Sequence, residues 1–289
     1  MMARKRRGCT HLTLGMLLPL YVLTVAFIFF PIIYMVFLSF MTRSDTWGFE
    51  LRATLENYMQ LFDPLYLHTF VSSLQLAVIS TACITVLGYA FGYYMARLSD
   101  TGKRRVMFLL MIPFWTSSLI RLYGWIIIFR SSGVLDTVLQ ALHITDEPLR
   151  LLYTYPAVVV GMVYALLPFM ILSVYSSAEK IDRSLIEAAH DLGARGLQTF
   201  WTVSFPLTLP GLLSGIVLTF VPSMGLFFVA DVLGGSKIVL IGSLIQEQMT
   251  KGRNVPFAAA LSVILMLLTS AIIGLERYIS SRTAMEEAH

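Results

Sequence analysis

The most specific arrangement of residue types in the chain is Glu187-Ala-Ala-His-Asp-Leu-Gly193, separated by nine residues from Val203-Ser-Phe-Pro206. Its chemistry is that of contact, not of covalent catalysis. Asp182 precedes the stretch and can accept from a free backbone N–H at the start of a helix, and Gly193 can end that helix in a left-handed conformation. Ala188 and Ala189 carry almost no bulk, so another protein's surface can approach closely, and Glu187 supplies one charge for register. Arg183, four residues earlier, is placed to orient that glutamate. A second short helix is expected over Leu197–Ser204, with Pro206 fixing the path of the chain into the next apolar segment. Periodicity alone describes an ordinary amphipathic surface helix equally well.

A second group of residues sits inside apolar runs, where ionisable side chains are expensive. Arg121 and Asp231 are the clearest cases, with aromatic residues near each: Trp115, Tyr123 and Trp125 around the first, Phe227 and Phe228 just before the second. Two roles are open. Asp231 faces a cationic cargo or belongs to a gate, with rings that can bind cations; or Arg121 and Asp231 form a structural ion pair and the rings belong to an interfacial aromatic belt. Pro222 and Gly225 are expected to distort the helix that leads to Asp231.

The elements that must hold these residues follow from composition. Of 289 residues, 57% are hydrophobic and 13% charged, and the mean hydropathy is +0.75, which marks an integral membrane protein. Six segments reach the roughly 20 apolar residues that a helix needs to cross a bilayer: Leu12–Met41, Thr69–Ala96, Val106–Phe129, Leu151–Ala178, Leu207–Leu233 and Pro256–Leu275. The fold class is therefore all-α and polytopic. A single permease domain is expected over 12–275, with a polar loop at 179–206 and short tails at 1–11 and 276–289.

Basic residues set the orientation, because they concentrate in cytoplasmic loops. Arg4, Lys5, Arg6 and Arg7 precede the first span, and Arg97, Lys103, Arg104 and Arg105 follow the second. Both termini and the 179–206 loop are then expected in the cytoplasm. The uncharged run Gly8–Thr42 exceeds the roughly 7–15 residues of a signal-peptide core, so it reads as a retained anchor. Gly88-x-x-x-Gly92 and Gly211-x-x-x-Gly215 offer close helix packing.

With the loop motif and the spans in place, the chain resembles the binding-protein-dependent ABC permeases of the MetI-like type, whose signature Glu187, Ala188, Ala189, Gly193, Val203 and Pro206 match in order and spacing. Val203 and Phe205 stand for the usual isoleucine and leucine. Within that family, Pro113-Phe-Trp-Thr-Ser-Ser-Leu-Ile-Arg121, Leu166-Leu-Pro-Phe-Met170 and Pro222-Ser-Met-Gly-Leu-Phe-Phe228 resemble the spermidine/putrescine branch. The resemblance implies half of a heterodimeric pore, a second permease, two copies of an ATPase that uses ATP and Mg2+, and a periplasmic protein that delivers polyamine. It also implies that Asp182–Leu192 is a helix inserted into the ATPase, with Glu187 at the contact.

The remaining features argue against other classes. No G-x-x-x-x-G-K-[ST] loop occurs, so no ATPase site and no cofactor is expected on this chain, and Gly234-Gly-Ser-Lys237 reads as a turn. The two cysteines, Cys9 and Cys83, and the five histidines form no metal or nucleophile pattern. A secondary transporter would couple through further intramembrane carboxylates. Within ABC importers, an amino acid, an opine-like compound or chelated iron remain alternative cargoes.

Overall fold

The computed structural model describes residues 5–44, 48–144 and 149–286. The basic cluster at Arg4–Arg7, Cys9, His11 and His289 fall outside the residues whose side chains are described. The elements run α1 (Lys5–Ser39), β1 (Met41–Arg43), β2 (Phe49–Ala53), α2 (Glu56–Gln60), α3 (Pro64–Ala96), α4 (Asp100–Met111), α5 (Ser118–Phe129), α6 (Val134–Ala141), α7 (Tyr155–Ala178), α8 (Arg183–Asp191), α9 (Gly196–Thr199), α10 (Phe205–Gly225), α11 (Phe227–Gly234), α12 (Ile241–Thr250) and α13 (Val255–Glu286). Among the described residues, six stretches are long and apolar enough to cross a membrane: Leu17–Ser39, Pro64–Ala96, Ser118–Ala141, Tyr155–Ala178, Gly196–Gly225 and Val255–Ser280.

Two compact units form. The first comprises Met1–Asp63 with Ile245–Met266. In it, β1 and β2 pair antiparallel with an irregularity between Met41 and Thr42. Buried Asn57 secures the turn out of α1 by donating through Nδ2 to the carbonyls of Ser39 and Met41, both at 2.9 Å. The Arg43 guanidinium donates to Gly252 O at 2.8 Å.

The second unit, Pro64–Leu244 with Leu267–His289, is built on α3, α7 and α10. The two small-residue motifs permit this packing. A Cβ on Gly92 would stand 2.7 Å from the Ile171 carbonyl, and one on Gly215 would stand 2.5 Å from Met170 Sδ. Ser173 Oγ donates to Gly211 O at 2.8 Å, so α7 and α10 meet nearly backbone to backbone. Ile84, Leu166, Met170, Val174 and Leu212 fill the space between the three helices. Because backbone cannot yield as a side chain does, Gly92→Val is expected to cost about 1–3 kcal/mol. Its check is a lowered thermal transition of the purified, detergent-solubilised protein relative to wild type.

Two expected spans are not continuous. The third, read as Val106–Phe129, breaks after a 3-10 turn over Ile112–Trp115, and Thr116 and Ser117 are extended before α5 begins. Averaged hydropathy hides this break. Pro113 has no N–H to continue the ladder, and Ser and Thr offer the backbone local alternatives to helix. The long apolar stretch therefore starts at Ser118. The fifth, read as Leu207–Leu233, is interrupted at Leu226 (φ −76°, ψ 58°), just after Pro222 and Gly225 as their types suggested.

Candidate functional site

Helix α8 has the ends its sequence specifies. Asp182 accepts from the Ser184 N–H at 3.0 Å, a bond that holds its carboxyl below the usual carboxylate range. At the other end Gly193 adopts φ +85°. The Gly193 N–H donates to His190 O at 2.9 Å and the Ala194 N–H to Ala189 O at 3.0 Å, a Schellman closure. His190 was not singled out from the sequence, yet its Nδ1 donates to Ala194 O at 3.0 Å and ties the same turn.

The faces of α8 are unequal. Ile186 and Ala189, three residues apart, are half-buried, whereas Glu187 and Ala188 are exposed. Of the two alanines, Ala188 is therefore the more open to solvent. Leu192 is 90% exposed and Leu197 74%, which leaves two large apolar side chains bare at the tip. Arg183 does not pair with Glu187. Both instead line a cleft of about 470 Å³ with Arg97, Lys103, Glu179 and His190.

The second short helix departs from expectation. Only Gly196–Thr199 is α-helical; Phe200–Ser204 widens into a π turn that runs directly into α10. Pro206 stands in the first turn of α10, and its missing N–H and bulky ring disfavour the normal ladder at this point. Half-buried Val203 lies within the π turn.

Rings distant in sequence fasten this turn to α3. Phe200 packs edge-on against Tyr93 at 5.4 Å and Tyr89 at 6.1 Å, and Tyr89 OH shares a 2.8 Å hydrogen bond with Thr208 Oγ1. Beside it, Lys103 of α4 pairs with Glu179 at 3.1 Å. The Tyr175 hydroxyl and then the Lys103 ammonium hold the Glu179 carboxyl below its ordinary range. A group so lowered contributes its stabilisation at neutral pH and loses it as pH falls through the depressed value.

The second group of residues is only partly brought together. Helices α5 and α11 pack in one core through Leu122, Phe129, Val229 and Leu233. Arg121 and Asp231 nevertheless do not form the ion pair that the sequence suggested. Arg121 donates through Nη1 to Thr116 O at 3.0 Å and Thr116 Oγ1 at 3.1 Å, covering the carbonyl that the broken third span leaves free. Its guanidinium also lies 5.9 Å from the Tyr164 ring, a residue whose position in α7 no local pattern flagged. Asp231 is exposed and accepts from Ser243 Oγ at 3.0 Å.

The rings divide as well. Trp115, 72% exposed, packs edge-on against Phe108, and Trp125 sits in the core against Phe129 and Tyr164. Tyr123 is exposed, while Phe227 and Phe228 contact each other near Asp231. Gly235, at φ +58°, opens a 3-10 turn over Gly235–Lys237, as expected of a turn.

The stretch that carries this capped helix between spans, residues 88–285, matches the family of the binding-protein-dependent transport system inner membrane component. The chain belongs to that family. It is a multi-pass inner-membrane permease. This permease is 45% identical over 244 residues, 84% of its length and 89% of the relative's, to the spermidine/putrescine transport system permease protein PotB of Escherichia coli (strain K12). It is 41% identical over 249 residues, 86% and 87% of the two chains, to the PotB of Haemophilus influenzae. Among solved structures, a permease chain of a bacterial alginate importer aligns with TM-score 0.77 at 17% identity, covering 96% of this chain and 98% of that one. A chain of the MetNI methionine transporter aligns at 0.57 and 20% identity, covering 79% and 98%. These two share the fold.

Proposed function

We propose that this permease forms half of the pore of an ATP-driven importer that carries polyamines, spermidine or putrescine, into the cytoplasm. Its partners are a PotC-like second permease, two PotA-like ATPases that use ATP and Mg2+, and a PotD-like periplasmic protein that delivers the cargo. The chain itself binds no cofactor. Both termini and α8 lie in the cytoplasm, which places Asp231, Phe227 and Phe228 toward the outer side.

The observation that carries the coupling assignment is α8: a helix capped at both ends that exposes Glu187 and Ala188, is followed by exposed Leu192 and by Leu197 in α9, and packs on α9 and the π turn. An exposed apolar tip beside a free carboxylate suits insertion into a complementary cleft. Closure of the ATPases pushes α8, and the aromatic contacts of Phe200 with Tyr89 and Tyr93 pass that displacement to α3 and α10. The cargo assignment is supported by the 45% identity to a spermidine/putrescine permease. The pore performs no bond chemistry; it is switched by nucleotide and loaded binding protein, each favouring one of two states.

Two substitutions test the reading. Glu187→Arg places a cation where the ATPase meets a carboxylate, and is expected to lower ATPase co-purification and uptake about tenfold, a loss of about 1.4 kcal/mol at the interface. Full association and uptake by that variant would remove Glu187 from the contact. Asp231→Asn keeps the Ser243 bond but removes the charge; it is expected to reduce spermidine uptake roughly tenfold with ATPase assembly intact. Unchanged uptake would assign Asp231 a structural role.

A further inference from the structure

Glu276 lies in α13, half-buried, four residues before the end of the apolar stretch Val255–Ser280. It forms no ion pair among the described residues. Its hydrogen-bond partner is neutral: Ser214 Oγ of α10 donates to Glu276 Oε1 at 3.3 Å. Ser214 is also a wall of a groove of about 440 Å³ between α7 and α10, which Ser173, Ser176 and Ser177 line with Phe169 and Leu218 at its apolar sides. Ser173 is six residues before Glu179 and Phe169 ten, so the groove reaches roughly 15 Å into the span from the end that carries α8, with Ser173 at roughly 9 Å.

The hydrogen bonds give this groove a polarity. Ser173 directs its proton to Gly211 O and Ser214 directs its proton to Glu276, so both oxygens present lone pairs to whatever enters. An anion would face these two acceptors and the Glu276 carboxylate beside them. An ammonium group has three donors and no acceptor, and it would neutralise the Glu276 carboxylate while methylenes lie along Phe169 and Leu218.

We propose that Glu276, Ser214 and Ser173 form an inner station that binds an alkylammonium group of the cargo before it leaves to the cytoplasm. The assignment rests on the polyamine reading and on the cytoplasmic placement of α8. It adds a second acidic group to the pathway, separate from Asp231, and gives the pore a preference for donors at its exit. Negative charge at both ends of the route keeps a cation attracted throughout, and the inner site must be weak enough to release it.

The test uses the complete transporter in nanodiscs, where both faces are open, in a Cys9→Ser, Cys83→Ser background carrying Ser214→Cys. A maleimide labels the new thiol, with spermidine or the uncharged 1,8-octanediol as competitor. At spermidine about four times its half-protecting concentration, labelling is expected to slow about fivefold; the diol is expected to have no effect, and Glu276→Gln to abolish protection. Should that variant fail to assemble, Glu276→Asp is expected to keep protection at a higher spermidine concentration. Equal labelling with and without spermidine would overturn the proposal. So would a thiol reactive in the isolated subunit but blocked in the complex, because the groove would then be filled by the second permease. Uptake by the parent complex separates the two levels: spermidine uptake without protection removes this station alone, whereas no spermidine uptake removes the polyamine reading and this station with it.

Discussion

Gly193→Val is expected to lower polyamine uptake by tenfold or more while the protein still reaches the membrane. Gly193 sits at φ +85°, and an added Cβ would meet nothing within 4 Å. The effect therefore comes from the backbone, not from crowding. A left-handed conformation costs an L-residue roughly 1–2 kcal/mol, and a β-branched side chain makes the position a clear outlier. The turn would relax by abandoning the two closing bonds onto His190 and Ala189, which re-aims Leu192 and shortens α8 at the end where the ATPase is proposed to grip. Gly193→Asn, which tolerates this region, is expected to retain most activity. Uptake and ATPase co-purification measured across Asn, Ala and Val at this position should fall in that order. A flat series would show that the left-handed turn does not matter to coupling.

Replacing Arg121 is expected to have the next largest effect. Arg121→Met removes both hydrogen bonds to Thr116 at the break in the third span, a loss of about 1.5–3 kcal/mol for bonds from a charged donor. Uptake should fall about tenfold or more over that range, by the usual conversion of about 1.4 kcal/mol per factor of ten. Two arrangements can be told apart. If Arg121 served an ion pair with Asp231, the double variant Arg121→Met, Asp231→Asn would be no worse than the more damaging single one. The observed contacts, Arg121 with Thr116 and Asp231 with Ser243, predict that the two losses add, as for sites that share no partner. A thermal-stability cycle over the four proteins reads this directly.

The contrast between these two positions shows what the sequence discloses. The caps of α8 were legible because capping is local: an aspartate before the helix and a glycine after it act on backbone groups within a few residues. The distortion after Pro222 and Gly225 was legible for the same reason. The break at Thr116–Ser117 was not, since a window of apolar residues averages over two short polar ones, and the partner of Arg121 depends on that break. The contact of Phe200 with Tyr89 and Tyr93 joins positions more than a hundred residues apart, so no spacing rule could reveal it. Glu276 escaped attention because the sixth span was taken to end at Leu275, while α13 continues to Glu286. Pro206 does stand in the first turn of α10, but the apolar stretch already begins at Gly196, and the π widening of the preceding turn, instead of a separate helix, required the geometry of the ladder.

The most direct test of the central claim is uptake of labelled spermidine by cells that lack their own polyamine importers and express this chain with its ATPase, second permease and binding protein. The account predicts saturable, ATP-dependent accumulation that putrescine competes with and that disappears when this chain is omitted. Assembly of all the subunits in the membrane without spermidine uptake would contradict it.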